Sequence, residues 1–489
     1  MFEPGALPEI IFGSPDSAIS RQIRKLREER LIRKIAPRLY TSNLKDDPAE
    51  IIRRNLFYIL GKLYPGSLLS HRSALENRPT NKGNIYLTYT YTKNIQLPGV
   101  VLKFQKGPDP IDGDRILNGE LYLPSVERGI LENLQASRKG SDGELRIVDR
   151  SILEKRLIDI FRADGEAGLN AFRDRARKIA SILKMDNEFE QLNQMIGALL
   201  STKPIDLLHS PAAVAEALGA PYDAHRMELI WELFAALNEQ TFSSRSETTA
   251  TSEAYVNFSF FEAYFSNYIE GTEFEVEEAR EIIFEGIFIE NRSGDTHDIK
   301  GTYEIVGNRF EMRRTPTSFE QLLELLRARH SVIMRGRPDK NPGSFKTRAN
   351  RAGNTTFVEP ALVRGTLMQA FEPYQALKHP LAKAIFMMFL ISEVHPFEDG
   401  NGRIARVMMN SELVKEELQK IIIPTVYRED YLLALRKLSR KKDPGAYIRM
   451  LDRAQDFSAS VNMESFPEML EYFQRSEAFL DQQEGKLKW

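Results

Sequence analysis

The chain has 489 residues, 67 basic against 69 acidic side chains, 42% hydrophobic residues and no cysteine. That length supports roughly two to four domains with full cores, and the near-balance of charge excludes a globally polybasic or polyacidic binder while leaving local patches open. The lack of cysteine excludes disulfide frameworks and thiolate metal sites; with no basic and apolar leader in MFEPGALPEI and no run of about eighteen apolar residues, the expected location is the cytoplasm.

Residues 1–108 form the first expected domain. In SAISRQIRKLREERLIRKIAPRLYTS, Ser17 to Ser42, the residues Ile19, Ile23 and Leu26 fall at helical spacing among arginines and lysines. Ser17 stands where an N-cap belongs, just after Pro15-Asp16. Leu31 to Tyr40 reads as a short ribbon turned at Pro37. Between Ser17 and Tyr40 there are eight basic and two acidic residues, a local charge of plus six. A basic helix followed by a basic ribbon outlines a winged helix-turn-helix and places DNA contacts on Arg21, Arg24 and Lys25. The plain alternative is a solvated helix. Farther on, Ile85, Leu87, Tyr89 and Tyr91 alternate with polar or small residues, which predicts antiparallel pairing with GVVLKFQK, Gly99 to Lys106. Through ISRQIRKLREERLIRKIAPRLYTS, Ile19 to Ser42, and PGSLLSHRSALENRPT, Pro65 to Thr80, this region resembles the AbiEi-type antitoxin family of toxin–antitoxin systems, a resemblance that implies operator-DNA binding.

Residues 109–222 read as a helical connector, with apolar stripes over Arg156 to Met185 and Asn187 to Leu200. Residues 223–489 open on the amphipathic helix MELIWELFAALNEQ, followed by the polar loop FSSRSETTATSE. AIFMMFLISEV, Ala384 to Val394, is too short to span a membrane and reads as a buried core helix.

Directly after it comes HPFEDGNGRIAR, His395 to Arg406. Helices on both sides make this a helix–loop–helix whose second helix starts inside GNGR, with Pro380 in the first turn of the helix before it. A helix start offers unpaired N–H groups and the positive end of the dipole. Gly400 and Gly402 allow close approach of an anion and positive φ, forming a phosphate nest. Arg403 and Arg406, three apart, reach one polyphosphate. Asp399 can hold Mg²⁺ that bridges phosphate oxygens, and Asn401 can donate its amide to a phosphate. His395 suits proton removal from a hydroxyl near neutrality, and Phe397 anchors the loop in the core. Singly, each residue has a plain structural reading: a cap, an ion pair, a turn.

The whole string resembles the signature of the Fic (Fic/Doc) family, HPFx(D/E)GNGRxxR, with no departure. The resemblance covers roughly Asp223 to Leu451. It implies a mainly α fold: an α-helical Fic core with a small β-hairpin flap, preceded by the winged-helix α+β region and the helical connector. It implies AMP transfer from ATP, with Mg²⁺, to a Ser, Thr or Tyr hydroxyl of a target protein, releasing pyrophosphate. His395 is then the base, Asp399 the metal ligand, and Gly400, Asn401, Gly402, Arg403 and Arg406 the phosphate site; glycine rather than lysine at 402 favours nucleotidyl over phosphoryl transfer. NPGSFKTRANRAGNTTFVEP, Asn341 to Pro360, fits the family's target-docking flap. It is expected as a hairpin of Phe345, Lys346, Thr347 and Arg348 with Thr355 to Val358 around a Gly353-Asn354 turn. FSNYIEGTEFEVEEA, from Phe265, resembles the family's inhibitory motif (S/T)xxxE(G/N) as Ser266, Glu270 and Gly271, in a helix of about 262–271. Ser266 and Glu270 share one helix face, and the resemblance pairs Glu270 with Arg406. Two alternatives stand: a DNA-binding, toxin–antitoxin-like regulator that mainly modifies itself, and an ATP-binding sensor without a target. The nucleotide base, the target and the oligomeric state are open.

Overall fold

A computed structural model describes residues 7–248, 251–353 and 355–489. The chain divides into two compact units, Met1–Leu218 and Gly219–Trp489.

The first unit opens with a three-stranded antiparallel sheet of β1 (Ile10–Phe12), β2 (Arg33–Ala36) and β3 (Leu39–Thr41), in the order β1-β3-β2, with α1 (Ser17–Glu28) between β1 and β2. Ile23 and Leu26 bury the apolar stripe of α1, and Arg21, Arg24 and Lys25 face outward. The N-cap is Asp16, not Ser17: its carboxylate accepts from the N–H groups of Ala18 (2.7 Å) and Ile19 (3.1 Å), and a charged acceptor is the stronger partner for a helix start. Helices α2 (Pro48–Arg54) and α3 (Leu56–Leu63) follow. A mixed six-stranded sheet is then built from β4 (Leu68–Leu69), β5 (Asn84–Tyr89), β6 (Lys93–Leu97), β7 (Val100–Lys106), β8 (Arg115–Asn118) and β9 (Leu121–Leu123), ordered β6-β7-β5-β4-β9-β8, with α4 (His71–Glu76) between β4 and β5. The expected antiparallel pairing of Ile85–Tyr91 with Gly99–Lys106 is corrected: β5 and β7 are parallel. The antiparallel partner of β7 is β6, joined to it through Gly99 at φ 70°. Its lysine-bearing, largely exposed sequence lacks the alternation that flags a half-buried strand.

The connector is also shorter than expected, since β8 and β9 belong to this sheet. Its helices are α5 (Val126–Asn133), α6 (Arg150–Leu183), α7 (Asp186–Leu199) and α8 (Pro211–Ala217), packed around one apolar cluster. Gly165, at φ 66° and ψ −166°, breaks α6 in its middle.

The second unit is helical around a single large core. In chain order it contains α9 (Ala224–Glu239), α10 (Ser252–Ile269), α11 (Val276–Arg280), α12 (Ser293–Val306), α13 (Arg309–Met312), α14 (Phe319–Ile333), a hairpin of β10 (Arg351–Ala352) and β11 (Thr355–Thr356), then α15 (Pro360–Ala376), α16 (Pro380–Val394), α17 (Asn401–Lys415), α18 (Arg428–Lys441), α19 (Gly445–Ala459) and α20 (Phe466–Arg475). The run Leu381–Val394 is buried on every side save at Lys383, as its unbroken apolar sequence predicts. The predicted loop Phe242–Glu253 ends where α10 begins at Ser252; Thr249 and Ala250 in it lie outside the described residues, as does Asn354 of the predicted turn.

The hairpin is shifted from expectation. Its first strand is Arg351–Ala352, not Phe345–Arg348. Lys346 is buried instead of presented: its N–H donates to the Pro396 carbonyl (2.9 Å) and its ammonium to Asn350 (2.8 Å). Phe345 packs against Phe397, and of the four predicted docking residues only Thr347 and Arg348 are exposed. Four residues that look like a strand are therefore the base on which the hairpin stands.

Candidate active site

The site grows from the end of α16 and the start of α17. His395 ends α16 in the left-handed region (φ 53°), and Gly400 precedes α17 in the same region (φ 74°). A Cβ on Gly400 would meet the Met334 sulfur at 2.6 Å, so glycine answers both the backbone and the space. Between them Phe397, fully buried, stacks on His330 with centroids 3.8 Å apart.

His330 is a residue that sequence reasoning missed. Its Nδ1 accepts from the Gly343 N–H (2.8 Å), so Nε2 carries the proton and donates to the Asp399 carbonyl (3.0 Å). Burial holds it neutral, with its pKa lowered to about 4. It thus ties the loop to α14 and to the segment leading into the hairpin. A lone histidine in an apolar helix carries no sequence signal for this.

His395 points its Nδ1 at the Ser392 carbonyl (3.2 Å). A carbonyl only accepts, so Nδ1 carries the proton and Nε2 keeps its lone pair, the form a general base needs. Burial lowers its pKa to about 4, so it is unprotonated at neutral pH. The ring lies flat against Phe357, with centroids 3.7 Å apart and planes 6° apart.

Asn401 braces the loop. Its amide spans the Phe397 backbone, accepting from the N–H (2.9 Å) and donating to the carbonyl (2.9 Å), and it is 2% exposed. The oxygen and one N–H of the amide thus shape the loop. Asp399 is half-buried and receives the Gly400 N–H (2.6 Å). A single carboxylate beside a backbone nest suits Mg²⁺, which binds through one or two carboxylates plus substrate phosphates and water; among the described residues no cluster of three or more such ligands occurs.

Both arginines are buried and already hold acids. Arg403 pairs with Asp298 of α12 (2.5 Å), which also accepts from Arg337 (2.8 Å). The Arg403 Nε is buried without a hydrogen-bond partner among the described residues. Arg406 donates through Nε to the Ser266 hydroxyl (2.9 Å), and through Nη2 to the Ser266 carbonyl (2.8 Å) and the Glu270 carboxylate (2.7 Å). Ser266 lies in the last turn of α10 and Glu270 caps it, with Gly271 following at φ 86°. Burial pushes the Glu270 carboxyl up, but the charges of Arg406 and Arg403 outweigh it and hold it below its ordinary value. A Cβ on Gly402 would lie 2.1 Å from a Glu270 oxygen, so only glycine admits that carboxylate over the helix start.

Glu270, His395, Gly402 and Phe357 open onto a cavity of about 530 Å³, walled on its apolar side by Leu432 and Leu435 of α18. The structure therefore brings His395, Gly402 and Glu270 to one opening, with Asp399 in the same loop and Arg403 and Arg406 behind it. Arg21, Arg24 and Lys25 belong to the first unit. Across the hairpin's base, Arg226 of α9 donates to the Thr356 carbonyl and pairs with Glu393, which accepts from Ser439 (2.6 Å). Neither Arg226 nor Glu393 was singled out from sequence, since their partners come from distant elements.

The Fic/DOC family profile matches residues 320–413. Protein adenylyltransferase Fic of Drosophila persimilis is 28% identical over 239 residues, 47% of this chain and 45% of the relative, so the chain spans less than half the length of that curated protein. Two solved structures are similar: a Fic-domain signalling protein of Bacteroides thetaiotaomicron (18% identity, TM-score 0.37, 48% of this chain and 94% of that one) and Fic-1 of C. elegans (17% identity, TM-score 0.35, 67% and 98%). With the complete motif spread over the α16–α17 turn and the family match enclosing it, the chain carries a Fic/DOC family domain in its second unit.

Proposed function

We propose that the second unit transfers AMP from ATP to a hydroxyl of a target protein. The observation that carries this reading is the cavity itself: an unprotonated His395 Nε2 and the α17 start at Gly402, over which the Glu270 carboxylate lies, face one space large enough for a nucleotide. In the proposed step Nε2 takes the proton of the target hydroxyl. That oxygen bonds to the α-phosphorus, the bond to the bridging oxygen breaks, and pyrophosphate leaves. The α17 N–H groups and the two arginines hold the phosphates. Asp399 would hold Mg²⁺, which would supply neutralisation of phosphate charge. The resemblance of the curated relatives, named adenylyltransferases, supports this choice of chemistry.

The same reading makes Glu270 a brake. Its carboxylate occupies a guanidinium face of Arg406 and the space above Gly402, where a polyphosphate competes for the same donors. A charge-assisted hydrogen bond is worth about 1.5–3 kcal/mol, and each ~1.4 kcal/mol is tenfold. Glu270→Gly should raise incorporation of labelled AMP into lysate proteins and into the chain itself by at least roughly ten- to a hundredfold. Adding His395→Ala should abolish labelling while ATP still binds. Unchanged labelling in Glu270→Gly, with its loss in His395→Ala, would leave Ser266–Gly271 as a helix end only. A self-labelled band alone would favour the regulator reading, and no band the sensor.

We also propose DNA binding by the first unit. Support comes from the exposed Arg21, Arg24 and Lys25 on α1, beside the β2–β3 ribbon. Replacing all three should flatten the fall of duplex affinity with salt: the slope of log affinity against log salt should drop by roughly two to three, at about 0.9 for each DNA phosphate no longer neutralised. Absence of binding at low salt returns α1 to a solvated helix.

A further inference from the structure

We propose that Phe357, from the hairpin, is a positioning residue for the catalytic base: its ring holds the His395 imidazole in plane over the cavity, so that the target-docking hairpin and the base form one unit. The inference rests on the AMP-transfer reading and deepens it.

Among the described residues the imidazole has one polar tether, the hydrogen bond from Nδ1 to the Ser392 carbonyl. One tether at 3.2 Å leaves rotation about the ring axis. The parallel stack on Phe357 removes that freedom. A stack covers the π face alone, so the lone pair of Nε2, which lies in the ring plane, stays open to the cavity. Its direction is set without being blocked.

Phe357 is itself held on both sides. Its N–H donates to the Asn350 carbonyl (3.1 Å), and Asn350 donates to the Phe397 carbonyl (2.9 Å). The preceding residue, Thr356, gives its carbonyl to Arg226, and the following one, Val358, is fully buried. Arg226 pairs in turn with Glu393, two residues before His395. The hairpin backbone and the base are thus tied through an ion pair as well as through the rings. A shift of the hairpin on docking a target strand moves the ring that aims the base, and a misaimed proton acceptor costs rate rather than nucleotide affinity.

The charged groups that face His395 are Lys346 from the segment before the hairpin, Glu270 from the end of α10 and Asp399 from the loop. All three persist in a Phe357 variant, so what changes there is the cover of the ring. The test uses the Glu270→Gly protein and labelled ATP, reading the self-labelling rate at saturating ATP, the half-saturating ATP concentration and the pH dependence. Phe357→Ala should lower the saturating rate about ten- to a hundredfold with half-saturating ATP unchanged, and the acid limb should move up as water reaches the ring. Phe357→Tyr, which keeps the plane, should retain the rate. Phe357→Leu, which keeps bulk without the plane, should fall with alanine. A leucine variant as fast as tyrosine, or a loss seen only in half-saturating ATP, overturns the proposal. An NMR titration of His395 with Glu270 intact reads the stack without any activity. If the parent protein does not label, the AMP-transfer reading fails, whereas an unchanged His395 titration in Phe357→Ala overturns the positioning role.

Discussion

Asn401 shows what one side chain in a dense motif does. Its amide satisfies both backbone groups of Phe397, and the Phe397 carbonyl has a second donor in Asn350. Asn401→Ala therefore orphans chiefly the buried Phe397 N–H, at a cost of about 1–3 kcal/mol. Urea unfolding should show that loss, with labelling reduced because the loop relaxes. Unchanged stability with weakened ATP binding would return Asn401 to the phosphate site. Arg403 is a parallel case. Buried and neutralised by Asp298, it is a fixed donor and not a mobile arm. Because Arg337 also pairs with Asp295 (2.8 Å), an isolated Asp298→Ala chiefly leaves the buried Arg403 without its acid, a strongly destabilising change of about 3–5 kcal/mol, measurable by thermal or urea unfolding.

At the level of elements, the site depends on how closely helices approach. In α15, Gly365 faces the chain just before α9: a Cβ there would sit 2.1 Å from the Pro221 carbonyl oxygen. Backbone does not yield as a side-chain tip does. Gly365→Ala, although favoured by helix propensity, should therefore destabilise by about 1–3 kcal/mol through overpacking; a stabilised variant in urea unfolding would show that the contact is loose. The neighbouring α9 carries Arg226, so the same substitution should also disturb the tie to the hairpin and lower labelling in the Glu270→Gly background. Gly402 is the counterpart at the helix start, where the close neighbour is the Glu270 carboxylate, a side-chain tip and not backbone.

Across the whole molecule, buried histidines set a pH response. His71 in the first unit, and His330 and His395 in the second, each have pKa values lowered from 6.5 to about 4, in every case chiefly by burial. Between those values the unfolded chain binds the protons and the folded chain does not, so stability is full above about 6.5 and lost as pH falls toward 4. A second decline follows at lower pH. Glu9, held by a hydrogen bond from Arg54, and Asp142, held by Lys103, both titrate at about 2 when folded. Their contribution is present above the ordinary carboxylate range and disappears as pH drops to about 2. Urea midpoints should thus fall between about pH 7 and 4.5, and His330→Gln should shallow that slope. A flat profile over this window contradicts the burial of these rings.

How much of this was legible follows from how far apart the interacting residues lie. The helix–loop–helix of His395–Arg406 could be read directly because its turn chemistry, glycines and helix starts are local properties of one contiguous string. The core helix α16 could be read because an unbroken apolar run has one fate in water. The Glu270–Arg406 pair spans 136 positions and was reached through motif resemblance, not through periodicity. Everything else at the site was decided by packing. The parallel pairing of β5 with β7 depended on β6 taking the other edge, and alternation alone carries no partner or direction. The burial of Lys346, the Asp298 grip on Arg403, the His330 bridge to Asp399 and the Phe357 ring over His395 each join elements distant in sequence. One string of residues determined which chemistry is present; only the tertiary structure decided which donors are already occupied, because occupancy is set by neighbours brought together when the apolar faces are buried.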